Sequence, residues 1–488
     1  MGCSPYIHDN KHEQDKSLKL FIGSDTTITP GIFTRVVDSS SLHDYNLIRI
    51  IGSGAFSKVL LCSYQPTLQL RAIKIMKKSS LVTQQLDTDY KIKEAAILRK
   101  FDHPNIIKCF EVFEDSLNYY MPLEYCQGGS VFEKFIVKKE LNEEKIRVIM
   151  AQLLSAIAYF HEKGVIHRDL KPENIFLESK ETSQIKLGDF GSACEIVAGK
   201  RCKGCFGTAY YLAPEMIKGS YDEKVDIWSC GIILFILLTG SPPYSGKNTA
   251  DIKSQILKHP LTSKQCSVVI QNKLIIDFLE NILVINPNDR ISASKALLHP
   301  WIAQFRNNFN IKSEILKNLH QKKCFSKIYQ AVSMYIVAYL LDIKDISELK
   351  QYFYKIDKNG DGKLDEEEIK MELRTFMDSD KAELTSKEIF KKYDLNSNDF
   401  IDYSEFLLMS LSDDKYLLER YISAVFKEFD LDQDGFVTLW DIQSVIGRFS
   451  HDALDLCLIK ECSKNNKLLS EKKFINIIRK CTSKKNKS

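Results

Sequence analysis

His167-Arg168-Asp169-Leu170-Lys171-Pro172-Glu173-Asn174 places a carboxylate, a cation and an amide within eight residues, and Asp189-Phe190-Gly191 follows with its aspartate 20 positions after Asp169. Upstream, Ile51-Gly52-Ser53-Gly54-Ala55-Phe56-Ser57-Lys58-Val59 lies between two β-like runs, Leu47 to Ile51 and Val59 to Tyr64. Glycines there let a backbone approach phosphate oxygens without a Cβ in the way. The strand–turn–strand setting argues against a dinucleotide fold, which wants strand–turn–helix. Arg71-Ala72-Ile73-Lys74 reads as a third strand. A lysine with apolar neighbours needs a partner for its charge, and phosphate oxygens or a carboxylate would serve. Glu94 sits on the helical stretch Lys91 to Lys100, just before Asp102-His103-Pro104-Asn105. Downstream come Gly207-Thr208-Ala209-Tyr210-Tyr211 and Ala213-Pro214-Glu215. Longer helical patterns, Glu143 to His161 and Lys224 to Thr239, fill the later part of this region.

In this order the series resembles the signature set of eukaryotic protein kinases, over about residues 45 to 301. The resemblance implies a bilobal fold with a β-rich first lobe and an α-rich second lobe, ATP and Mg²⁺ as cofactors, and protein hydroxyls as acceptors. It implies that Lys74 holds the α and β phosphates with Glu94 paired to it. Ile51, Gly52, Gly54, Val59 and Ala72 would line the nucleotide pocket, and Glu124 to Cys126 would form the adenine-contacting hinge behind Leu123. Asp189 and Asn174 would hold Mg²⁺, because carboxylate and amide oxygens suit a hard cation. Asp169 would orient the substrate hydroxyl and accept its proton, and Lys171 would contact the transferring phosphoryl group. Glu215 is expected to pair with Arg290, and Asp226 to brace the catalytic loop. Ser57 replaces the third glycine of the loop, and Pro122 is unusual for an inner strand. Lys171 and Gly207-Thr208 point to Ser/Thr rather than Tyr substrates. Glu173 and Glu133 would favour basic residues upstream of the target, although Ser130 stands where relatives often carry Glu. The only hydroxyl of the activation segment ahead of Gly207 is Ser192, so activity is expected not to depend on phosphorylation there.

After Trp301 the pattern changes: Phe325, Ile328, Val332, Ile336 and Tyr339 recur at helical steps. Acidic repeats then begin at Asp357, Asp394 and Asp430, with spacings of 37 and 36 residues. The first fits the full EF-hand loop: side-chain oxygens of Asp357, Asn359, Asp361 and Asp365, the carbonyl of Lys363, glycine at position 6 and a chelating Glu368. The second offers Asp394, Asn396, Asn398, Asp402 and Glu405 with the carbonyl of Phe400. Its sixth position is Asp399, where the turn wants positive φ, so weaker calcium binding is expected. The third offers Asp430, Asp432, Asp434 and Thr438 with the carbonyl of Phe436, and ends on Asp441, one methylene shorter than Glu. A fourth loop near 462–473 lacks carboxylates and is expected to pack without calcium.

Kinase, junction and four EF-hands resemble the calcium-dependent protein kinases of plants and apicomplexan parasites, over about residues 45 to 480. The fold class expected is multi-domain α+β, ending in an all-α four-hand domain. The expected divisions are 1–44 as a flexible extension, 45–301 as the kinase, 302–345 as an autoinhibitory junction, 346–481 as the calcium-binding domain and 482–488 as a basic tail. The family's junction restrains the kinase at low calcium, and Ca²⁺-loaded hands release it. Met1-Gly2-Cys3 resembles a dually acylated start, with myristate on Gly2 and palmitate on Cys3, although Tyr6 occupies the position where Ser or Thr is preferred. This implies a cytoplasmic protein with peripheral membrane contact. Two other readings stay open: a catalytically dead scaffold, and a constitutive kinase with an incidental calcium domain.

Bulk properties fit this picture. The 488 residues are too many for one core. A net charge of +4 does not call for nucleic acid, and a monomer is the default. Thirteen cysteines without a repeating framework read as free thiols in a reducing compartment. Cys202 and Cys205 have C-x-x-C spacing, but zinc would need further ligands nearby, so they read as ordinary loop cysteines.

Overall fold

The computed structural model describes residues 28–30, 36–54, 57–79, 89–137, 141–197, 199–259, 261–304, 327–411, 417–446 and 468–483. Gly2, Cys3, Phe325 and the first half of the fourth loop lie outside the described residues, as does most of the junction between 305 and 326.

The first lobe is a six-stranded sheet: β1 (Val36–Asp38), β2 (Tyr45–Ser53), β3 (Ser57–Tyr64), β4 (Gln69–Lys77), β5 (Val112–Glu114) and β6 (Asn118–Glu124). Their order is β1-β5-β6-β4-β3-β2, and only the β1–β5 pairing is parallel. The glycine-rich turn joins β2 to β3 as expected, closed by a 2.8 Å hydrogen bond from Gly54 N–H to Ser57 O. β1 comes from the stretch read as a flexible extension, and Ile28 is buried there. A three-residue strand in a polar setting carries too few residues to show a period. Pro122 lies opposite Ile73 of β4, so β6 is indeed an inner strand. Its carbonyl accepts from Phe110 N–H on the other side, just before β5 begins, so the missing N–H falls where the ladder is already interrupted.

The second lobe is built on two helices. Glu143–Glu162 is capped by Asn142, whose side chain accepts from Lys145 N–H, and it buries residues all round from Ile149 to Phe160. Lys224–Thr239 is apolar enough to be buried along nearly its whole length and stops at Gly240, which has φ 77°. Glu215 and Arg290 form the expected pair, bidentate at 2.6 and 3.1 Å and buried. No helix among the described residues is long and apolar enough to cross a membrane.

The C-terminal region consists of helix–loop–helix units. Ile343–Ile356 and Glu366–Leu373 flank the first loop, Ser379–Tyr393 and Tyr403–Ser410 the second, and Glu419–Phe429 and Leu439–Ile446 the third. Leu364 and Ile401 exchange two backbone hydrogen bonds, at 3.0 and 2.9 Å, and so join the first two loops. Phe436–Val437 pairs antiparallel with Leu469–Ser470, so the described end of the fourth loop pairs with the third. The described junction is an α-helix, Lys327–Tyr335, that widens into a π-turn at Ile336–Leu340. Ile328, Val332 and Ile336 are buried, and the helix touches units from both halves of the calcium-binding region.

Candidate active site and calcium loops

The cleft between the lobes collects the expected catalytic side chains. β4 presents Lys74, whose Nζ lies 3.0 Å from both Glu94 oxygens and 2.8 Å from Asp189 Oδ1. Burial by itself would lower the lysine pKa, but Glu94 and Asp189 outweigh it and raise it. In return Lys74 holds the Asp189 carboxyl below its ordinary range. Asp189 is left-handed at φ 58°, which turns the buried Phe190 inward against His167, with ring centroids 4.6 Å apart. Arg168 is also left-handed, at φ 70°. Asp226 holds that strained turn: its carboxylate accepts from the N–H groups of His167 and Arg168 at 2.9 and 3.0 Å.

Asp169 accepts from Lys171 Nζ at 2.7 Å through Oδ2, while Oδ1 is buried with no partner among the described residues. A buried carboxylate oxygen without a donor is costly unless another group completes it. Lys171 also reaches Thr208 Oγ1 at 3.4 Å. Asn174 donates its amide N–H to the Asp169 carbonyl at 2.9 Å, which leaves its side-chain oxygen as the acceptor. Asp189, beside Lys74, and Asn174 thus each offer a hard oxygen donor, a chemistry that fits Mg²⁺. Gly207, at φ 95°, passes so close to Arg168 O that a Cβ there would sit 2.7 Å from it. Cys126 is buried, and the Glu124 carboxylate turns away to Lys186 at 3.0 Å.

The calcium loops are folded around their own first residues. Asp357 accepts from Gly360 and Gly362 N–H at 2.6 and 3.0 Å, and Glu368 accepts from Lys358, Asn359 and Asp365 N–H. Burial pushes Glu368 up to about 7 and also raises Asp361. Desolvated carboxylates grouped around a glycine turn fit a hard divalent cation. In the second loop Asp399 does take positive φ, 63°, and Asp394 accepts from Asn398 and Asp399 N–H, each at 3.1 Å. Asn396 and Asn398 both donate to Asp402 there. Asp430, Asp432 and Asp434 of the third loop bring ligand atoms within 4.8 Å of one another. At its end Asp441 Oδ2 is bound by Thr438, while Oδ1 is buried without a partner.

Sequence reasoning missed the contact between the two halves. Asp102 accepts from Ser404 N–H at 2.9 Å and Ser404 Oγ at 2.7 Å, all buried. Lys350 Nζ donates to Glu178 Oε1 at 2.5 Å and Pro104 O at 2.9 Å, and Tyr354 donates to Asn105 Oδ1 at 3.0 Å. Lys363 reaches Glu162 at 2.6 Å. Gly362 lies so close to the kinase that a Cβ there would meet the His103 ring at 2.1 Å. The only clue in the sequence was that Ser404 lies between ligand positions Asp402 and Glu405; the burial of Asp102, His103 and Asn105 appears only in the structure. Ser404→Ala leaves Asp102 Oδ1 unpaired. It is expected to weaken docking by about 1–3 kcal/mol, read as faster amide hydrogen exchange at residues 102–106. Unchanged exchange would remove this contact from the docking account.

A family model for the protein kinase domain matches residues 45–302, one for an EF-hand domain pair matches 346–411, and one for a single EF hand matches 422–445. The chain is similar to calcium-dependent protein kinase 4 of Plasmodium berghei (strain Anka), 35% identical over 467 residues, covering 91% of this chain and 87% of that protein. It is similar to calcium-dependent protein kinase 4 of Plasmodium falciparum (isolate 3D7), 35% identical over 491 residues, covering 96% and 90%. To calcium-dependent protein kinase 5 of the same isolate it is 35% identical over 427 residues, covering 85% and 74%. The kinase domain implies ATP and Mg²⁺, and the EF-hands imply Ca²⁺. A protein kinase domain with an assembled cleft, EF-hands folded for calcium and matched relatives spanning nearly the whole chain together place this protein in the calcium-dependent protein kinase family.

Proposed function

We propose that the chain is a calcium-activated Ser/Thr kinase, restrained through its junction at low calcium. The observation that carries the reading is the Lys74–Glu94–Asp189 ion cluster beside the unpartnered Asp169 oxygen. In this reading Lys74, fixed by Glu94, binds the α and β phosphates of ATP. Asp189 and Asn174 hold Mg²⁺, which when bound neutralises phosphate charge. Asp169 Oδ1 orients the acceptor hydroxyl and takes its proton, while Lys171 faces the transferring group. Ile51, Gly52, Gly54, Val59 and Ala72 cover the nucleotide, and backbone groups of Glu124 to Cys126 meet the adenine. Asp357, Asn359, Asp361, Lys363, Asp365 and Glu368 bind calcium, with weaker sets in the second and third loops.

The switch follows from who holds the junction. Its described helix is clasped by the calcium-binding region, and Lys108 Nζ donates to Ala338 O at 2.6 Å. Calcium favours this clasp, and its loss lets the junction leave this position for the catalytic cleft as an inhibitor. The deciding experiment is phosphotransfer from Mg-ATP to a basic Ser/Thr peptide, in EGTA and across a free-calcium titration. Activity appearing only with calcium supports the whole reading. Full activity in EGTA discards the switch, and no activity at any calcium level favours a scaffold.

Substrate preference rests on Glu173, whose Oε2 is buried without a partner among the described residues. A basic side chain upstream of the target hydroxyl would complete it. Glu173→Gln is expected to raise KM about fivefold for a peptide with upstream arginine, on the order of 1 kcal/mol. A peptide lacking that arginine serves as the control. Equal effects on both peptides would rule Glu173 out as the selector.

A further inference from the structure

The activation segment after Asp189 brings Cys194 and Cys202 together, with their sulfurs 3.2 Å apart. Each is fixed by a different partner. Cys194 is buried and pairs with Ile166, while Cys202 is half-buried and pairs with Tyr221. Cys205, which the C-x-x-C spacing would associate with Cys202, is exposed and instead accepts from Lys253 Nζ at 3.6 Å. Groups next to these two strands hold Arg168. Its Nε donates to Ser192 O at 2.6 Å, two residues before Cys194. Its Nη1 reaches Tyr221 Oη at 3.4 Å, and its guanidinium lies 4.0 Å from the centre of the Phe206 ring. Protein groups therefore anchor Arg168.

We propose that Cys194 and Cys202 form a reversible disulfide when the protein meets a peroxide, tying together the two strands that adjoin the groups holding Arg168. Closing the gap to a covalent bond of about 2 Å asks for roughly 1 Å of movement. Seven residues separate the two cysteines, and Gly199, at φ 79° with open space around it, gives that loop freedom to adjust. Cys202 is the more accessible of the two and is flanked by Lys200, Arg201 and Lys203. As thiolate it attacks one peroxide oxygen: an S–O bond forms, the O–O bond breaks, and the departing hydroxide is protonated to water. The Cys194 sulfur then attacks the Cys202 sulfenic acid. The S–S bond forms, the S–O bond breaks, and a second water leaves with the Cys194 proton. Two thiols are oxidised by two electrons and one peroxide is reduced to two waters. Burial pushes the Cys194 thiol up to about 12, which suits it to the resolving rather than the attacking role.

Because the sulfurs already touch while Lys74, Glu94 and Asp189 are joined, the bond locks the segment in the arrangement seen here rather than dismantling it. The test treats the full chain with hydrogen peroxide and maps its peptides without reduction, a readout independent of phosphotransfer. The expected product is a tryptic peptide ending at Lys200 joined through sulfur to one containing Cys202, lost on reduction. Cys205→Ser is expected to keep this linkage and Cys202→Ser to abolish it. Calcium-saturated activity of the oxidised Cys205→Ser protein is expected to stay within twofold of the reduced form, with slower tryptic cleavage of the native protein at Lys200 and Arg201. A Cys202–Cys205 linkage, or sulfenic and sulfinic acid at Cys202 without any cross-link, overturns the site. A more than tenfold activity loss, restored by reduction and absent in Cys202→Ser, overturns the locking role.

Discussion

Asp169→Asn is expected to lower kcat by about 10²–10⁴-fold while leaving ATP affinity within about twofold. The substitution keeps the size of the side chain and the main-chain carbonyl that Asn174 binds. What disappears is the anionic oxygen, and with it the proton acceptor. In the structure that oxygen, Oδ1, is buried and unpartnered, while Oδ2 is held by Lys171 at 2.7 Å. The lysine keeps one carboxylate oxygen in place and leaves the other available to accept a proton. An amide can supply an oxygen or a nitrogen at that point, but neither is basic enough to take a hydroxyl proton. Steady-state phosphotransfer and a separate nucleotide-binding titration read the two quantities. A variant with kcat within threefold of the parent would remove Asp169 from proton transfer. A matching loss of ATP binding would instead point to a damaged cleft.

The second large effect is expected at Glu368. Glu368→Gln removes the carboxylate that closes the first calcium loop, and at least about a tenfold rise in the free calcium needed for activation is expected, or 1.4 kcal/mol or more. The residue also has a structural duty. Its two oxygens accept from the N–H groups of Lys358, Asn359 and Asp365. Glutamine can supply one acceptor oxygen, but its NH₂ then faces an N–H donor. Some loss of stability therefore accompanies the loss of calcium affinity. Melting in EGTA measures the first effect, and calcium titration of activity measures the second. A right-shifted activation curve together with a modest drop in EGTA melting temperature is the expected result. An unshifted curve would mean that the first loop does not govern activation, and attention would move to the third, where three aspartates already converge.

Much of the active site was legible in the sequence because phosphate chemistry demands particular residue types in particular local settings. A glycine turn between two strands, a lysine on a strand and an aspartate before Phe-Gly each have a local geometric reason. Their strands and helices fall close to where periodicity put them: the expected helix Lys224 to Thr239 is found at those bounds, and the strands differ by a few residues. The calcium loops were legible for the same reason, since twelve consecutive residues carry both the turn and its ligands. β1 was not legible, because three residues hold no period. Nor was the bend of the junction, where a sustained apolar repeat hides the change from α-helix to π-turn at Ile336.

What the sequence by itself determined was the inventory: a kinase region, an amphipathic junction and EF-hands, each read from patterns only a few residues long. What only the tertiary structure decided was which distant groups meet. Asp102 is 302 positions from Ser404, and Lys350 is 172 from Glu178. Ser404 lies within a calcium loop and Asp102 opens a short motif, but neither pattern points to the other, and Lys350 and Glu178 would read as ordinary surface residues. The same holds for Cys194, which lies against Cys202 rather than leaving it to the nearby Cys205. Local patterns arise because neighbours along the chain share one helix, strand or turn. Long-range pairs arise because desolvated charges and thiols must find partners wherever packing of the core brings them, and that choice is made in three dimensions.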